Sequence, residues 1–91
     1  MSLLPKAVGE VVFCEVEDGA VLLHAAQEIY YGLNHVGAEI WQLLPPATPT
    51  LADLLAALQV RYPDVAVATL QDDVEALLAD LAEHGLVEQP A

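Results

Sequence analysis

Basic residues are almost missing from this chain. Lys6 and Arg61 stand against 14 acidic residues in a chain of 91, which gives a formal net charge of -12. Nucleic-acid binding draws most of its affinity from Lys and Arg side chains that neutralise phosphates, and anionic membrane surfaces attract basic segments for the same reason. Both kinds of partner are therefore excluded. The acidity leaves two interpretations open: it only keeps the domain soluble, or it serves a positively charged partner.

Disulfides, membrane spans and export signals are also missing. Cys14 is the only cysteine, so no intramolecular disulfide is possible. No apolar run approaches the roughly 18 residues that a membrane span needs, and the stretch before Pro5 is too short for a secretory signal. These absences predict a cytoplasmic protein. Hydrophobic residues make up 56% of the 91, which predicts one domain, spanning residues 1–91, with a packed core.

Catalytic constellations are the third absence. The three histidines are scattered, with no pair at a metal-ligand spacing. Cys14 falls inside a predicted strand, where a free cysteine is usually a small core residue, and Asp72 and Asp73 diverge on a predicted helix. No glycine-rich phosphate loop is present. The sequence therefore predicts a protein that is not an enzyme and holds no cofactor or metal.

The first part of the chain has the character of a β-meander. Three runs are rich in β-branched and aromatic residues, at about residues 11–17, 20–24 and 28–33. Asp18-Gly19 between the first two is a strong signal for a type I′ hairpin turn. These features predict a three-stranded antiparallel sheet.

The second part has helical periodicity. Three segments place their apolar residues on one face of a helix, at about residues 35–44, 51–62 and 70–84. Asn34, Thr50 and Thr69 are the predicted N-caps, and Gly85 is the predicted C′ residue of the third helix. Leu86-Val87 would then return to the sheet edge. The order predicts an α+β fold that resembles a winged helix-turn-helix whose wing comes first.

A winged-helix frame raises DNA binding as an alternative, with the third helix as the recognition helix. That helix has no Lys or Arg and five acidic residues, namely Asp72, Asp73, Glu75, Asp80 and Glu83. These carboxylates would repel a phosphate backbone, so the alternative is rejected.

The third predicted strand is an edge of the sheet, and only Glu28 at its start blunts it. Either residues 3–10 or Leu86-Val87 cover this edge, or a peptide adds to it as a further strand. On the third helix, Asp73, Ala76 and Asp80 flank the apolar stripe beside Leu77. They form either the wall of a shallow groove or a solvated face.

Several motifs together resemble the PqqD-like family of RiPP recognition elements, over about residues 10–88. They are Asp18-Gly19-Ala-Val-Leu-Leu, Tyr31-Gly32-Leu33-Asn34, Gly37-Ala-Glu-Ile40-Trp41, Thr50-Leu51-Ala-Asp53, Arg61-Tyr62-Pro63, Asp73-Val74 and Leu81-Ala-Glu-His-Gly85-Leu86-Val87. His35 departs from the family, which more often has Thr, Pro or Ser there. The departure touches only the start of the first helix.

The resemblance implies non-catalytic binding of the leader segment of a ribosomally synthesised precursor peptide. In that family the leader adds as an antiparallel strand to the third strand and lies against the third helix. The implied leader-binding residues are Glu28, Ile29, Tyr30, Tyr31, Gly32, Leu33, Asp73, Val74, Ala76, Leu77 and Asp80.

Trp41 at the end of the first helix is more similar to the stand-alone members of lasso-peptide pathways. That resemblance implies a second partner, a transglutaminase-like cysteine protease that removes the leader. Two alternatives stay open. One is a peptide chaperone in pyrroloquinoline quinone biosynthesis, and the other is a winged-helix adaptor between proteins with no peptide substrate.

Overall fold

The computed structural model describes residues 3–45 and 47–88. The elements in these ranges are β1 (Lys6–Ala7), β2 (Val11–Val16), β3 (Gly19–His24), β4 (Ile29–Asn34), α1 (His35–Leu43), α2 (Leu51–Arg61), α3 (Val67–Glu83) and β5 (Val87–Glu88). The predicted α+β fold, a three-stranded antiparallel meander followed by three helices, is confirmed. No helix of the described ranges is long and apolar enough to cross a membrane.

The strands form two sheets. The larger has the order β2-β3-β4, and the smaller pairs β1 with β5. The expected return of Leu86-Val87 to the edge of the larger sheet is wrong, because Val87 pairs with Ala7 of the N-terminal segment instead. The amide of Val8 also donates to the carbonyl oxygen of Leu86 at 3.1 Å. The two ends of the chain thus satisfy each other's backbone groups.

The predicted hairpin between β2 and β3 is present, but its turn is not type I′. Val16 pairs with Gly19, so Glu17 and Asp18 form the turn, and neither has the positive φ that type I′ requires. Gly19, with φ 151°, instead begins β3, where an added Cβ would collide with the carbonyl oxygen of Leu33. The glycine is needed for the close approach of β4, not for the turn.

Two of the three predicted N-caps are confirmed. The Asn34 side chain accepts from the amide of Gly37 at 2.7 Å, and the Thr50 hydroxyl accepts from the amide of Asp53 at 3.2 Å. Thr69 is not a cap, because α3 begins at Val67 after Ala66, which makes no side-chain capping bond.

The loop before α3 is held by one side chain. The Gln59 side-chain amide donates to the carbonyl oxygens of Tyr62, Pro63 and Val65, the last at 3.0 Å. At the other end of α3, Gly85 has φ 72° and the amide of Leu86 donates to Leu81 at 2.9 Å, as expected for a C′ glycine.

The core has two parts that meet on α3. One lies under the inner face of the sheet and contains Ala20, Leu22, Leu33, Leu44, Leu81, Leu86 and Val87. The other lies between the helices and contains Leu4, Ile40, Leu54, Leu58, Leu70 and Val74. Leu77 and Leu78 pack against both. This shared packing fixes α3 relative to the sheet.

Candidate functional site

The outer edge of β4 is open in the described part of the chain. β4 pairs with β3 on one side, and neither described range supplies a strand for its other side. The two segments that offered an internal cover, the N-terminal residues and Leu86-Val87, pair with each other as β1 and β5. The edge therefore presents backbone N–H and C=O groups to an incoming strand.

One backbone hydrogen bond in the neighbouring strand pair shows which residues of β4 direct their N–H and C=O groups to the free edge. The amide of Ala25 donates to the carbonyl oxygen of Glu10 at 3.1 Å, just beyond the paired ends of β2 and β3. Hydrogen-bonded and non-hydrogen-bonded pairs alternate along an antiparallel ladder. Ala25 directs its backbone groups toward β2. The alternate residues of β3, which are His24, Leu22 and Ala20, therefore direct theirs toward β4.

The register carries this alternation onto β4. The partners of those three residues are Ile29, Tyr31 and Leu33. Their backbone N–H and C=O groups are hydrogen-bonded to β3. The residues that direct their amides toward the free edge are Tyr30, Gly32 and Asn34. The edge thus offers evenly spaced donors, as strand addition requires.

Two adjoining depressions lie beside this edge, and Ala76 and Leu77 of α3 line both. The first, of about 480 Å³, is bordered by Tyr31 and by Asp80. The second, of about 220 Å³, is bordered by Asn34 and by Asp73. Their shared walls make one channel, called the groove below, with Tyr31 and Asn34 on its strand side and Asp73, Ala76, Leu77 and Asp80 on its helix side.

A side-chain hydrogen bond crosses the groove. The Tyr31 hydroxyl donates to the carboxylate of Asp80, and the Tyr31 ring meets the His84 ring edge-on with centroids 5.3 Å apart. Burial, then the hydrogen bond to Asp80 and its negative charge, raise the pKa of Tyr31 to about 12. The neutral phenol is therefore held as a donor across the physiological pH range.

The groove is acidic. Glu83 joins Asp73 and Asp80 along its helix side. The only Lys and Arg residues of the chain are engaged elsewhere, with Lys6 Nζ 3.5 Å from a Glu88 oxygen and Arg61 paired with Glu39. A peptide that carries basic residues among apolar ones would match this wall.

Among the implied site residues on α3, four line the groove and one does not. Asp73, Ala76, Leu77 and Asp80 lie at its surface. Val74 is completely buried in the core between the helices, so it supports the wall from behind without reaching a ligand. The apolar stripe of α3 faces the core as its periodicity predicts, and only the binding role that the resemblance gave to Val74 has no support from its position.

On the strand side of the groove, alternate side chains of β4 lie on opposite faces of the sheet. Tyr31 borders the groove, whereas Tyr30 is 72% exposed and lies, like Gly32, on the opposite face of the sheet. Leu33 is buried in the core and Ile29 is half-buried. Glu28 precedes β4 and has φ 54°, a left-handed turn conformation, so it does not belong to the edge strand.

The start of α1 forms a border of the groove that the sequence did not reveal. Val36, Gly37 and Ile40 line its smaller part together with Asn34. The N-cap signal at Asn34 offered the clue, because it joins α1 to β4 without a loop. Trp41, farther along α1, packs against the core under the sheet instead.

The one cysteine of the chain lies away from the groove. Cys14 is exposed on β2, across the sheet from β4. Within residues 3–45 and 47–88, no three His, Cys, Asp or Glu side chains come together in a way that would hold a metal ion. The groove offers backbone groups, apolar surface and carboxylates together with the Tyr31 hydroxyl and the Asn34 side chain. Free edge groups beside side-chain pockets are the means of peptide recognition by strand addition.

The comparisons with known proteins identify the chain that carries this edge and groove as a PqqD-like RiPP recognition element. The profile of the family described as "Coenzyme PQQ synthesis protein D (PqqD)" matches residues 19–87. The chain therefore belongs to the PqqD family. A comparison with curated protein sequences finds no match.

Two solved structures are similar over nearly the whole chain. One is "TbiB1 in Complex with the TbiA(beta) Leader Peptide", with a TM-score of 0.81 and 32% identity over 94% of this chain and 98% of that chain. The other is "Lasso peptide synthetase B1 complexed with the leader peptide", with a TM-score of 0.77 and 28% identity over 91% and 95%.

Proposed function

We propose that this chain binds the leader segment of a ribosomally synthesised precursor peptide by strand addition to β4, and that it does no chemistry itself. The observation that carries the proposal is the open edge of Tyr30, Gly32 and Asn34 beside the groove. The two similar solved structures, each described as a complex with a leader peptide, support it.

The groove indicates what the leader should contain. An added strand turns alternate side chains toward α3, where Ala76 and Leu77 offer a small, apolar surface. Basic side chains beside an apolar anchor would meet Asp73, Asp80 and Glu83. We therefore propose a leader that pairs antiparallel with β4 and combines aliphatic or aromatic anchors with Lys or Arg.

The biological role that we propose is delivery of the precursor to a separate leader peptidase in lasso-peptide maturation. Binding one end of the peptide raises its local concentration at the enzyme without any catalytic group. We propose that the peptidase is a transglutaminase-like cysteine protease, that the complex acts in the cytoplasm, and that residues 1–91 work as a single recognition domain. The similarity to lasso peptide synthetase B1 supports this pathway.

A second candidate is a peptide chaperone of pyrroloquinoline quinone biosynthesis. The description of the matching family profile favours it. Both candidates use the same edge and groove, and the identity of the peptide that binds separates them.

The decisive experiment removes one edge donor. Tyr30→Pro deletes an outward amide and leaves the ladder to β3 intact, so a fluorescently labelled synthetic leader from the pathway's precursor should lose binding at least ten-fold. Tyr30→Ala is the matched control, because it removes the same side chain and keeps the amide. Binding is measured by fluorescence anisotropy and folding by thermal melting.

Ile29→Pro provides the opposite control. Its amide faces β3, so this substitution should break the ladder and lower the melting temperature strongly. Equal leader affinities of Tyr30→Pro and Tyr30→Ala would contradict strand addition. Outer-edge amides already protected from hydrogen exchange in the free protein would contradict it as well.

A further inference from the structure

The face of the sheet that points away from the helices is uncharged. The register aligns three rows across β2, β3 and β4, which are Val12-Leu23-Tyr30, Cys14-Val21-Gly32 and Val16-Gly19-Asn34. The alternate residues of the same strands, such as Leu22, are buried on the other side. Asn34, at the end of the third row, is the exception because its side chain caps α1 and borders the groove. The other eight positions, called the outer sheet face below, carry no Asp, Glu, Lys or Arg in a chain with 14 acidic residues.

The outer sheet face is also unusually apolar for a solvated surface. Of the six large hydrophobic residues that are strongly exposed in the described ranges, three lie on it, with Val12 49%, Val16 51% and Tyr30 72% exposed. Antiparallel sheets that face water on one side normally alternate apolar with polar residues. A contiguous apolar patch on a soluble domain marks an interaction surface.

Acidic residues border this patch at both ends. Glu17 and Asp18 form the turn at one end, and Glu10 and Glu28 precede β2 and β4 at the other. A second copy of the chain could not complement them, because Lys6 and Arg61 are its only Lys and Arg residues and both are already paired with carboxylates. Two chains of charge -12 would also repel each other. The occupant must therefore bring its own basic residues.

The outer sheet face is continuous with the proposed peptide site. Tyr30 and Gly32 belong to it and also direct their amides to the free edge of β4. A leader strand added there would extend the sheet, and its outward side chains would lie next to Tyr30. A protein seated on this face would therefore touch the recognition domain and the bound peptide together.

We propose that the outer sheet face docks the enzyme that processes the bound precursor, through an apolar patch on that enzyme ringed by Lys and Arg. This inference rests on the proposed function, since it assumes that a leader occupies the β4 edge. The two faces of the domain then bind different partners. The groove side binds the leader, and the outer sheet face binds the enzyme.

The test compares two double variants that add the same charge. Val12→Glu with Val16→Glu alters the outer sheet face, and Val60→Glu with Val67→Glu alters two exposed valines of α2 and α3. The probes are the labelled leader and the pathway's leader-cleaving cysteine protease with its nucleophile replaced. The face variant should bind leader within two-fold of the wild type and bind the protease at least ten-fold more weakly. The control variant should match the wild type in both assays.

A second pair of substitutions tests the acidic border without touching the strands. Glu17→Lys with Asp18→Lys should weaken protease binding several-fold at low salt and much less at high salt. This variant keeps the test decisive if the face variant melts early, because both residues lie in an exposed turn.

The possible failures can be told apart. A wild-type chain that does not bind leader would overturn the proposed function. Normal leader binding with equal protease affinities of the two double variants would overturn the docking inference alone. A wild-type homodimer in sedimentation that the face variant dissociates would overturn it too, because the occupant would then be a second copy.

Discussion

The Tyr31 hydroxyl and the Asp80 carboxylate join β4 to α3 by a hydrogen bond across the groove. They stand 49 residues apart in the chain, and the larger depression lies around them. The bond holds the two walls of the groove in a fixed relation. It also consumes part of the hydrogen-bonding capacity of Asp80 before any ligand arrives.

The first prediction concerns the titration of Tyr31. Burial and Asp80 raise its pKa to about 12 in the folded protein, from an unfolded value of about 10. Asp80→Asn removes the negative charge and should lower that pKa toward 10, read from phenolate absorbance. Subtracting the spectra of Tyr31→Phe isolates the Tyr31 signal from the absorbance of the other two tyrosines.

The sign of the stability effect follows from the same shift. A raised pKa means that the folded state holds the phenol proton more tightly than the unfolded state. The stabilisation is fully present below about pH 10 and is lost as the pH rises toward 12. Tyr31→Phe should remove this loss between pH 10 and 12 in denaturant unfolding. An unchanged pH profile in Tyr31→Phe would contradict the assignment.

The second prediction concerns the charge of the groove. Asp73→Lys should weaken leader binding a few-fold, more at low salt than at high salt, because exposed ion pairs are each worth about 0.2–1 kcal/mol. Asp72→Lys is the matched control: it adds the same charge one residue away, and a step of 100° per residue points it away from the groove. Asp80 is less suited to this test because it already accepts a hydrogen bond from Tyr31. Equal effects of the two Lys variants would indicate only a long-range field.

The third prediction separates the wall of the groove from the core behind it. Ala76→Phe should fill the groove and abolish leader binding with little change in melting, because Ala76 is exposed. Ala82→Phe, exposed on the same helix, should leave binding unchanged. Binding is measured with the labelled leader by fluorescence anisotropy.

Val74→Ala should lower the stability of the fold and leave leader binding nearly unchanged. Val74 is fully buried, and loss of two methyl groups at about 0.8 kcal/mol each, plus the cavity, should cost about 2 kcal/mol of unfolding free energy. Leader affinity of the folded fraction should stay within two-fold of the wild type. A larger affinity loss at Val74→Ala than at Ala76→Phe would show that the ligand reaches behind α3.

The fourth prediction concerns catalysis. The isolated chain should neither cleave nor modify its precursor. The Tyr31 hydroxyl does donate to the Asp80 carboxylate, but its pKa is raised to about 12, whereas an activated nucleophile needs a lowered one. Mass spectrometry of the precursor after prolonged incubation checks this. Turnover by the purified chain that disappears in Cys14→Ala would refute the binding function.

Local signals predicted much of this fold. The β-branched runs located the three strands, and the caps at Asn34 and Thr50 located two helix starts, because each signal acts within a few residues. Thr69 misled because a capping preference does not say which of several neighbouring residues begins a helix, and α3 begins before it, at Val67.

Contacts between residues far apart in the chain could not be predicted from the sequence. Nothing local shows that Val87 pairs with Ala7, or that Gly19 is required by the carbonyl of Leu33. The helical wheel of α3 placed Val74 in the apolar stripe, where it is buried; it was the family resemblance that placed Val74 among the leader-binding residues. The residues of the groove were largely foreseeable, whereas their exposure was not.

The free edge of β4 ends abruptly at Asn34, because α1 begins at the next residue without a loop. Asn34 ends the strand in an extended conformation, with φ -78° and ψ -176°, while its side chain caps the helix that starts at the next residue. A peptide paired with this edge runs out of partners there, after a strand of about 20 Å. In the proposed complex the junction would therefore act as a ruler that limits the paired segment to about six residues. The length of the peptide beyond that segment would then set how far it lies from the point at which the leader is removed.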